Sequence, residues 1–376
     1  MRILHIGKYY WPIPGGIETA VRDIAVEQVR QGHSVWVLSH WQRPGLVAQQ
    51  ESHQEVQVCR VPIVGHVAYA PIAPSFPRVF RRVMSDARPD VIHVHMPNLS
   101  PLWLGVWTLQ APLVVHWHSD VYTSLKSLAL ALLYPGYAVF QKRLLSKAAA
   151  VIATSDSYRQ ASKPLQSFDD KTVTIPLALD PDRMCAVHNA QSVDGTRPFV
   201  FSAGRFTYYK GFDVLIRAAA HLRGDVKVTI AGSGPLHDRM RSLVDKMGLQ
   251  SRIELPGRLE DKDLHALMAQ CSVFCLPSID RTEAFGLVLL EAMHYARPVV
   301  STRVRGSGMQ LVNEHKVTGL CVEPEDDLAL ARALNSLLLD PDLAQGMGNE
   351  GKKRTETRFH ISRQVMEISR LYASLA

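Results

Sequence analysis

The chain has 376 residues and a formal net charge of +7, with 47% hydrophobic and 20% charged residues. That balance belongs to a folded chain of two or three domains and excludes both intrinsic disorder and a single small binding module. The longest apolar stretch, residues 128–140, is broken by Pro135 and Gly136 and falls short of a membrane span, while Arg2-Ile3-Leu4-His5-Ile6-Gly7 is too brief for a signal-peptide core, so a cytoplasmic chain is expected.

Short β-rich apolar runs alternate with amphipathic segments of helical length. In the first half the runs fall at 2–6, 34–38, 56–61, 91–95, 113–117 and 151–154. Between the first two, Ala20, Val21, Ile24, Ala25 and Val29 recur at helical spacing, and Gly32 supplies a stop. A polar stretch over 178–197, with Asp180-Pro181-Asp182 and Ser192 to Thr196, reads as a linker. Runs resume at 199–203, 226–231, 252–255, 273–276 and 298–300. This βαβ rhythm predicts the α/β class: two tandem Rossmann-like, doubly wound domains over 1–180 and 195–360, facing across a cleft that takes the ligand. A C-terminal helix over 361–376 is free to cross back to the first domain. The five cysteines are odd in number and scattered, which argues for buried thiols rather than a disulfide framework; Cys271 and Cys275 have no ligand pair nearby.

Chemistry is expected in the loops that follow strands. The first carries Gly15-Gly16 ahead of a helix expected near Glu18; such a pair either lets backbone amides approach a phosphate or is a plain turn. The loop after 199–203 brackets Arg205 and Lys210 between Gly204 and Gly211. These cations either converge on a diphosphate, Arg as a planar fork and Lys as a point charge, or are solvated beside a helix start. The segment Glu283-Ala284-Phe285-Gly286-Leu287 to Met293 reads as a helix from about Phe285. Glu291 then lies roughly 12 Å beyond Glu283 if helix runs between them. That exceeds the roughly 5–9.5 Å of two carboxylates acting on one glycosidic bond, so the two are expected to hold different parts of one ligand. The amides of Phe285, Gly286 and Leu287 would open toward an anion. The plain alternative is a capping glutamate and a solvated one.

His116 and His118 share a strand face and could bind zinc, but no third ligand has a clear spacing; His93 and His95 end the preceding strand in the same way. Asp-x-Asp strings at 180–182, 261–263 and 340–342 read as turns or a helix start rather than a metal site. Gly232-Ser233-Gly234-Pro235 lacks the full spacing of a dinucleotide fingerprint. Arg78, Arg81, Arg82 and Arg88 around Asp86, with an apolar 125–147 flanked by Lys126, Lys142, Arg143 and Lys147, suit an anionic membrane surface or are core helices with solvated ends. Nucleic acid is not an expected partner, for want of a dense basic face with exposed aromatics.

In order and spacing, Gly15-Gly16, Gly204-Arg205 to Lys210-Gly211, Gly232-Ser233-Gly234-Pro235, Pro256-Gly257 and Glu283-x7-Glu291 together resemble the GT4-type retaining glycosyltransferases of GT-B architecture, over nearly the whole chain. The resemblance implies that Arg205 and Lys210 bind the donor diphosphate, and that Gly15, Gly16 and the amides of Phe285, Gly286 and Leu287 contact phosphate. It places Glu283 on hydroxyls of the transferred sugar, Glu291 on the ribose, and His118 on the acceptor side with Asp120 as a neighbour. No cofactor or metal is implied. One departure is Leu177-Ala178 after Pro176, where relatives commonly show Asn-Gly. The Arg281 to Leu287 version of the motif is similar to mannosyl- and rhamnosyltransferases of O-antigen pathways. It implies GDP-mannose or GDP-rhamnose as donor, with a UDP-sugar as the alternative, while the basic and apolar surface of the first half adds the expectation of a saccharide or polyprenyl-linked acceptor at an anionic membrane face. A catalytically silent saccharide-binding scaffold, which would not need Arg205, Lys210 and Glu283 together, is the reading from outside enzymology.

Overall fold

The structure, a computed structural model, describes residues 1–67, 70–121, 128–186 and 197–375. In chain order the strands and helices of the first half are β1 (Arg2–Ile6), α1 (Gly16–Arg30), β2 (Ser34–His40), β3 (Gln49–His53), β4 (Val56–Val61), β5 (Gly65–Val67), β6 (Ala70–Ile72), α2 (Phe76–Ala87), β7 (Val91–Met96), β8 (Leu113–Trp117), α3 (Leu128–Lys147), β9 (Ala150–Ala153), α4 (Asp156–Ala161), α5 (Lys163–Gln166) and β10 (Thr172–Thr174). The second half continues with β11 (Phe199–Ala203), α6 (Phe212–Ala219), β12 (Lys227–Ala231), α7 (His237–Lys246), β13 (Ile253–Gly257), α8 (Asp261–Gln270), β14 (Val273–Leu276), α9 (Leu287–His294), β15 (Val299–Thr302), α10 (Met309–Val312), β16 (Gly319–Val322), α11 (Asp327–Leu339), α12 (Pro341–Thr357) and α13 (Ile361–Leu375).

The chain divides into two compact units, Met1–Leu177 with Ile361–Ala376, and Ala178–His360. The first holds a sheet in the order β10-β9-β8-β7-β1-β2-β4-β3, parallel throughout except for β3 against β4. The second holds β13-β12-β11-β14-β15-β16, all parallel. Parallel strands must be covered on both faces, which is why β7, β8, β14 and β15 are buried along their whole length. In each sheet the strand order reverses once, between β1 and β7 and between β11 and β14. Loops leaving the carboxyl ends there diverge to opposite faces and open a crevice.

In the first unit α1 sets Val21, Ala25 and Val26 against Val35, Val37, Val56 and Val58. Helix α13 returns to this unit because Ile361, Val365, Ile368 and Tyr372, spaced by four, three and four, form one buried stripe. Strands β3, β5, β6, β10 and β16 carry no periodic signal in the sequence: Gln49-Gln50-Glu51-Ser52-His53 is a polar edge strand, and the others span only three or four residues. The expected linker over 178–197 is corrected at its start. Asp180 caps the turn Pro181–Arg183, the Cys185 N–H donates to His265 Nδ1 at 3.1 Å and Tyr295 donates to the Cys185 carbonyl at 2.9 Å, so residues 178–186 are packed onto the second unit. Residues 187–196, including Ser192 to Thr196, lie outside the described residues.

Candidate functional site

The second unit brings a set of charged side chains to the loops where its strand order reverses. The loop after β11 carries Arg205 and Lys210; the loop after β14 carries Glu283. Backbone contacts join the two loops. The Ile279 N–H donates to the Tyr209 carbonyl at 2.8 Å, and Gly211, at φ 62°, sits so close to Pro277 that a Cβ there would meet its carbonyl oxygen at 2.1 Å. Glycine at 211 therefore meets both a left-handed turn and a close approach that no side chain permits. The outcome is an ion pair between Lys210 Nζ and Glu283 Oε2 at 2.5 Å, both side chains almost buried. Burial pulls the Lys210 pKa down, but Glu283, Tyr209 and Glu291 outweigh it, leaving the ammonium above its ordinary value and firmly charged. Ser307 donates to the Glu283 carbonyl at 2.5 Å and the Gly308 N–H to the Ala284 carbonyl at 2.7 Å, so the loop after β15 braces the same segment.

Helix α9 starts at Leu287, not near Phe285, because Gly286 takes φ 83° and turns the chain out of helical geometry. Glu283 is thus on the loop, and the helical separation of about 12 Å from Glu291 does not apply. The two carboxylates have different partners: Glu291 accepts from Arg183 at 2.9 Å, with both side chains about nine-tenths buried. Arg183 went unnoticed in the sequence because its Asp-Pro-Asp-Arg context reads as a polar turn; an arginine adjoining a capped turn was the only local signal. No backbone carbonyl among the described residues accepts from the N–H groups of Phe285, Gly286 or Leu287. Arg205 is exposed and has no ion pair among the described residues, so it does not join Lys210 and Glu283 here.

Two other sequence features have structural explanations. A Cβ on Gly232 would meet the Gly204 carbonyl oxygen at 1.8 Å, and one on Gly234 the Phe206 backbone at 2.6 Å. This glycine pair lets two adjacent post-strand loops touch and is not a broken dinucleotide fingerprint. Of the aspartates, Asp180 caps its turn, Asp340 caps α12 and Asp261 opens α8. Burial pushes the Cys271 thiol up to about 12 and raises Cys275 further, as inert core thiols require.

In the first unit α1 starts at Gly16, earlier than expected, with Gly15 as an N-cap that offers no side-chain cap bond. Space above Gly16 is open, whereas a Cβ on Gly15 would strike the Glu18 carboxylate at 2.1 Å. Asp120 Oδ1 accepts from Trp117 Nε1 at 2.9 Å and from Ser162 Oγ at 2.6 Å, which holds the turn after β8. His116 and His118 are both buried and their rings stack at 4.2 Å. Third ligands that the spacing did not reveal are supplied by tertiary contact: ring nitrogens of His5, His93 and His95, and of His95, His116 and His118, lie within 4.8 Å of one another. Both nitrogens of His95 are already hydrogen-bonded, however, to His5 at 3.0 Å and to His118 at 2.9 Å. The His116 and His118 rings lie only 11° from parallel, so their in-plane lone pairs run side by side rather than converging on an ion. Burial lowers the His5 pKa to about 4 and the His118 pKa to about 3, and depresses His93, His95 and His116 as well. The cluster is neutral near pH 7.

Comparison with known proteins gives a consistent picture. Residues 15–178 match the model of the glycosyl transferase 4-like domain and residues 186–354 that of glycosyl transferases group 1. The O-antigen chain mannosyltransferase C of Escherichia coli is 31% identical over 385 aligned positions, covering 100% of this chain and 99% of that protein. The D-rhamnosyltransferase WbpZ of Pseudomonas aeruginosa is 29% identical, covering 96% and 92%. Among solved structures, the sucrose-phosphate synthase from Thermosynechococcus elongatus superposes with a TM-score of 0.84 at 23% identity, covering 99% and 98%.

Proposed function

Because the chain belongs to the GT4-type glycosyltransferases and carries their GT-B fold, we propose that it moves a hexose from GDP-mannose or GDP-rhamnose to a saccharide or lipid-linked saccharide acceptor of surface polysaccharide. The anomeric configuration is retained. The observation that carries this reading is the buried Lys210–Glu283 pair at the switch point of the second sheet. A diphosphate entering there meets an ammonium held charged in a low-dielectric site by Glu283, whose loop runs on into the amides of Phe285, Gly286 and Leu287, which have no backbone acceptor among the described residues. As Lys210 turns to the diphosphate, Glu283 is released to accept from hydroxyls of the sugar. Glu291, oriented by Arg183, accepts from the ribose.

Departure of the nucleotide diphosphate builds negative charge, which Lys210 and Arg205 stabilise in place of water. Arg205 reaches the site from solvent and adds its planar fork only when the donor arrives. The acceptor hydroxyl attacks from the same face, and the departing phosphate takes its proton. His118 and Asp120 in the first unit, with Gly15 and Gly16, belong to the acceptor side and the phosphate approach. No residue is assigned as a covalent nucleophile, and neither metal nor cofactor is required by these roles.

Similarity to a mannosyltransferase and a rhamnosyltransferase, with the Arg281 to Leu287 motif, supports our choice of a guanine nucleotide; a UDP-sugar is the second reading. A thermal-shift titration decides, since a ligand bound only by the folded form raises its stability. GDP should raise the midpoint more than UDP, and the reverse order would move the donor to uridine.

No helix among the described residues is long and apolar enough to cross a membrane. The first unit nonetheless exposes Trp103, Val106, Leu132, Leu133 and Val139, with Leu132 72% exposed, and Lys142, Arg143, Arg81 and Arg88 are exposed in the same unit. Lys126 lies outside the described residues. Apolar and basic side chains in combination suit peripheral docking on the anionic inner face of the plasma membrane. Co-sedimentation with anionic but not neutral liposomes, weakening as salt is raised, is the expected result; equal binding to neither would remove the membrane from the proposal.

A further inference from the structure

Five histidines converge inside the first sheet. His5 on β1 pairs in register with His93 on β7, and His95 on β7 with His116 on β8; His118 follows the end of β8. Packed histidines usually satisfy their nitrogens with backbone carbonyls or carboxylates. Here three of them bond to one another. His118 Nε2 meets His95 Nδ1 at 2.9 Å, His95 Nε2 meets His5 Nδ1 at 3.0 Å, and His5 Nε2 meets Gln28 Oε1 at 2.6 Å. Beyond Gln28, its Nε2 donates to the Tyr372 hydroxyl at 3.4 Å, which lies 2.5 Å from His93 Nδ1.

A neutral imidazole has one N–H and one lone pair, so a row of imidazoles bonded nitrogen to nitrogen has a direction. Gln28 sets that direction. Its carbonyl oxygen can only accept, so His5 carries its proton on Nε2 and must accept at Nδ1. His95 then donates from Nε2 and accepts at Nδ1, and His118 donates from Nε2. With the Gln28 amide oriented this way, its Nε2 donates to the Tyr372 hydroxyl, which leaves that hydroxyl's own hydrogen free for His93 Nδ1. The last atom of the row, His118 Nδ1, is left with a bare lone pair, and it has no partner among the described residues.

We propose that Gln28 is a positioning residue which, acting through His5 and His95, fixes His118 in the tautomer with a proton-free Nδ1, and that this nitrogen accepts a hydrogen bond from a hydroxyl of the sugar substrate. The first half of this inference concerns the tautomer alone. The second half rests on the transferase reading above. With the opposite tautomer His118 would present an N–H and donate to a hydroxyl oxygen instead, so a side chain three links away decides whether the strand end gives or takes the hydrogen bond.

Long-range proton–nitrogen correlation spectra of full-length protein labelled with 15N-histidine read the tautomer directly, and the spectrum of His118→Asn assigns the signals. In the wild type, without any nucleotide or sugar, His118 is expected as the Nε2–H form. In Gln28→Leu the row loses its fixed direction, and His118 is expected to become a mixture of both tautomers. In Gln28→Glu, which keeps an acceptor in the same place, the wild-type form is expected to remain. Transfer by Gln28→Leu is expected to drop about tenfold or more in kcat with the donor KM within twofold of wild type. An Nδ1–H tautomer in the wild type overturns the proposal even if the leucine variant fails to fold, as does an unchanged His118 tautomer in folded Gln28→Leu. A shifted tautomer with unchanged kcat overturns the substrate contact. Since the spectra need no reaction, a mistaken donor or acceptor would leave the tautomer result standing.

Discussion

The two units share one architecture and solve the same problem in opposite ways. Each is a parallel sheet whose order reverses once. At the reversal in the first, the polar groups are neutral imidazoles that bond to each other beneath α1 and α13. In the second they are full charges, Lys210 with Glu283 and Arg183 with Glu291, nearly buried and ion-paired. A neutral row can be directional without a net field, which suits the presentation of a lone pair to a sugar hydroxyl. A matched pair of charges can open for an incoming diphosphate, since the ligand replaces what it displaces. Similar folds therefore carry different electrostatics, because the burial of uncharged polar groups requires only hydrogen bonds whereas burial of charge requires a counter-charge.

The largest effect should come from separating that counter-charge. Lys210→Ala is expected to lower kcat by about two to three orders of magnitude, the range for loss of a preorganised group facing developing negative charge. Glu283→Ala leaves the ammonium buried and unmatched, which costs about 3–5 kcal/mol of stability in addition to lost turnover. Steady-state kinetics and chemical denaturation of the two variants check this; wild-type rates in either folded variant would remove its residue from the site.

A second contrast is between the ends of the pH scale. In the first unit the folded-state pKa values of His5 and His40 lie near 4 and that of His118 near 3, below the unfolded value of 6.5. The unfolded chain thus binds more protons, and the stability due to neutral burial is present above pH 6.5 and lost as pH falls from there toward 4. Lys210 in the second unit is raised instead, so its contribution holds below 10.5 and fades at higher pH. All six tryptophans, at positions 11, 36, 41, 103, 107 and 117, lie in the first unit. Tryptophan fluorescence should report unfolding ahead of far-UV circular dichroism on acidification, and coincident transitions would contradict the comparison. His265 and His294, lowered chiefly by burial, give the second unit a smaller acid sensitivity of its own.

The smallest effect on stability belongs to Arg205. Because it is exposed and unpaired with any acid among the described residues, Arg205→Ala should leave the denaturation midpoint within about 0.5 kcal/mol of wild type while raising the donor KM about tenfold. A large stability loss would place this arginine in the core network instead of at the ligand.

Much of this could be read along the chain. Alternating apolar runs gave the doubly wound pattern because a strand buried on both faces must be apolar over its full length, and β1, β4, β8, β11 and β14 lie where the runs do. The polar edge strand β3 was invisible for the same reason: it has one paired edge and no buried face to mark. Lys210, Glu283 and Glu291 were legible as residue types after strands, but their pairing was not, since Gly286 stops the helix that spacing alone would have drawn through both glutamates. Arg183 was hidden in a turn.

The residues themselves determined which strands and loops exist, where the chemistry-bearing side chains fall along them, and that His93 and His95, like His116 and His118, share strand faces. Only the folded arrangement decided that His5 joins them, that α13 returns to place Tyr372 beside Gln28, and that each buried charge meets its own partner. Periodicity is a property of neighbours along the chain, whereas a hydrogen-bonded row or an ion pair depends on residues tens to hundreds of positions apart being brought within 3.4 Å, which is a fact of packing.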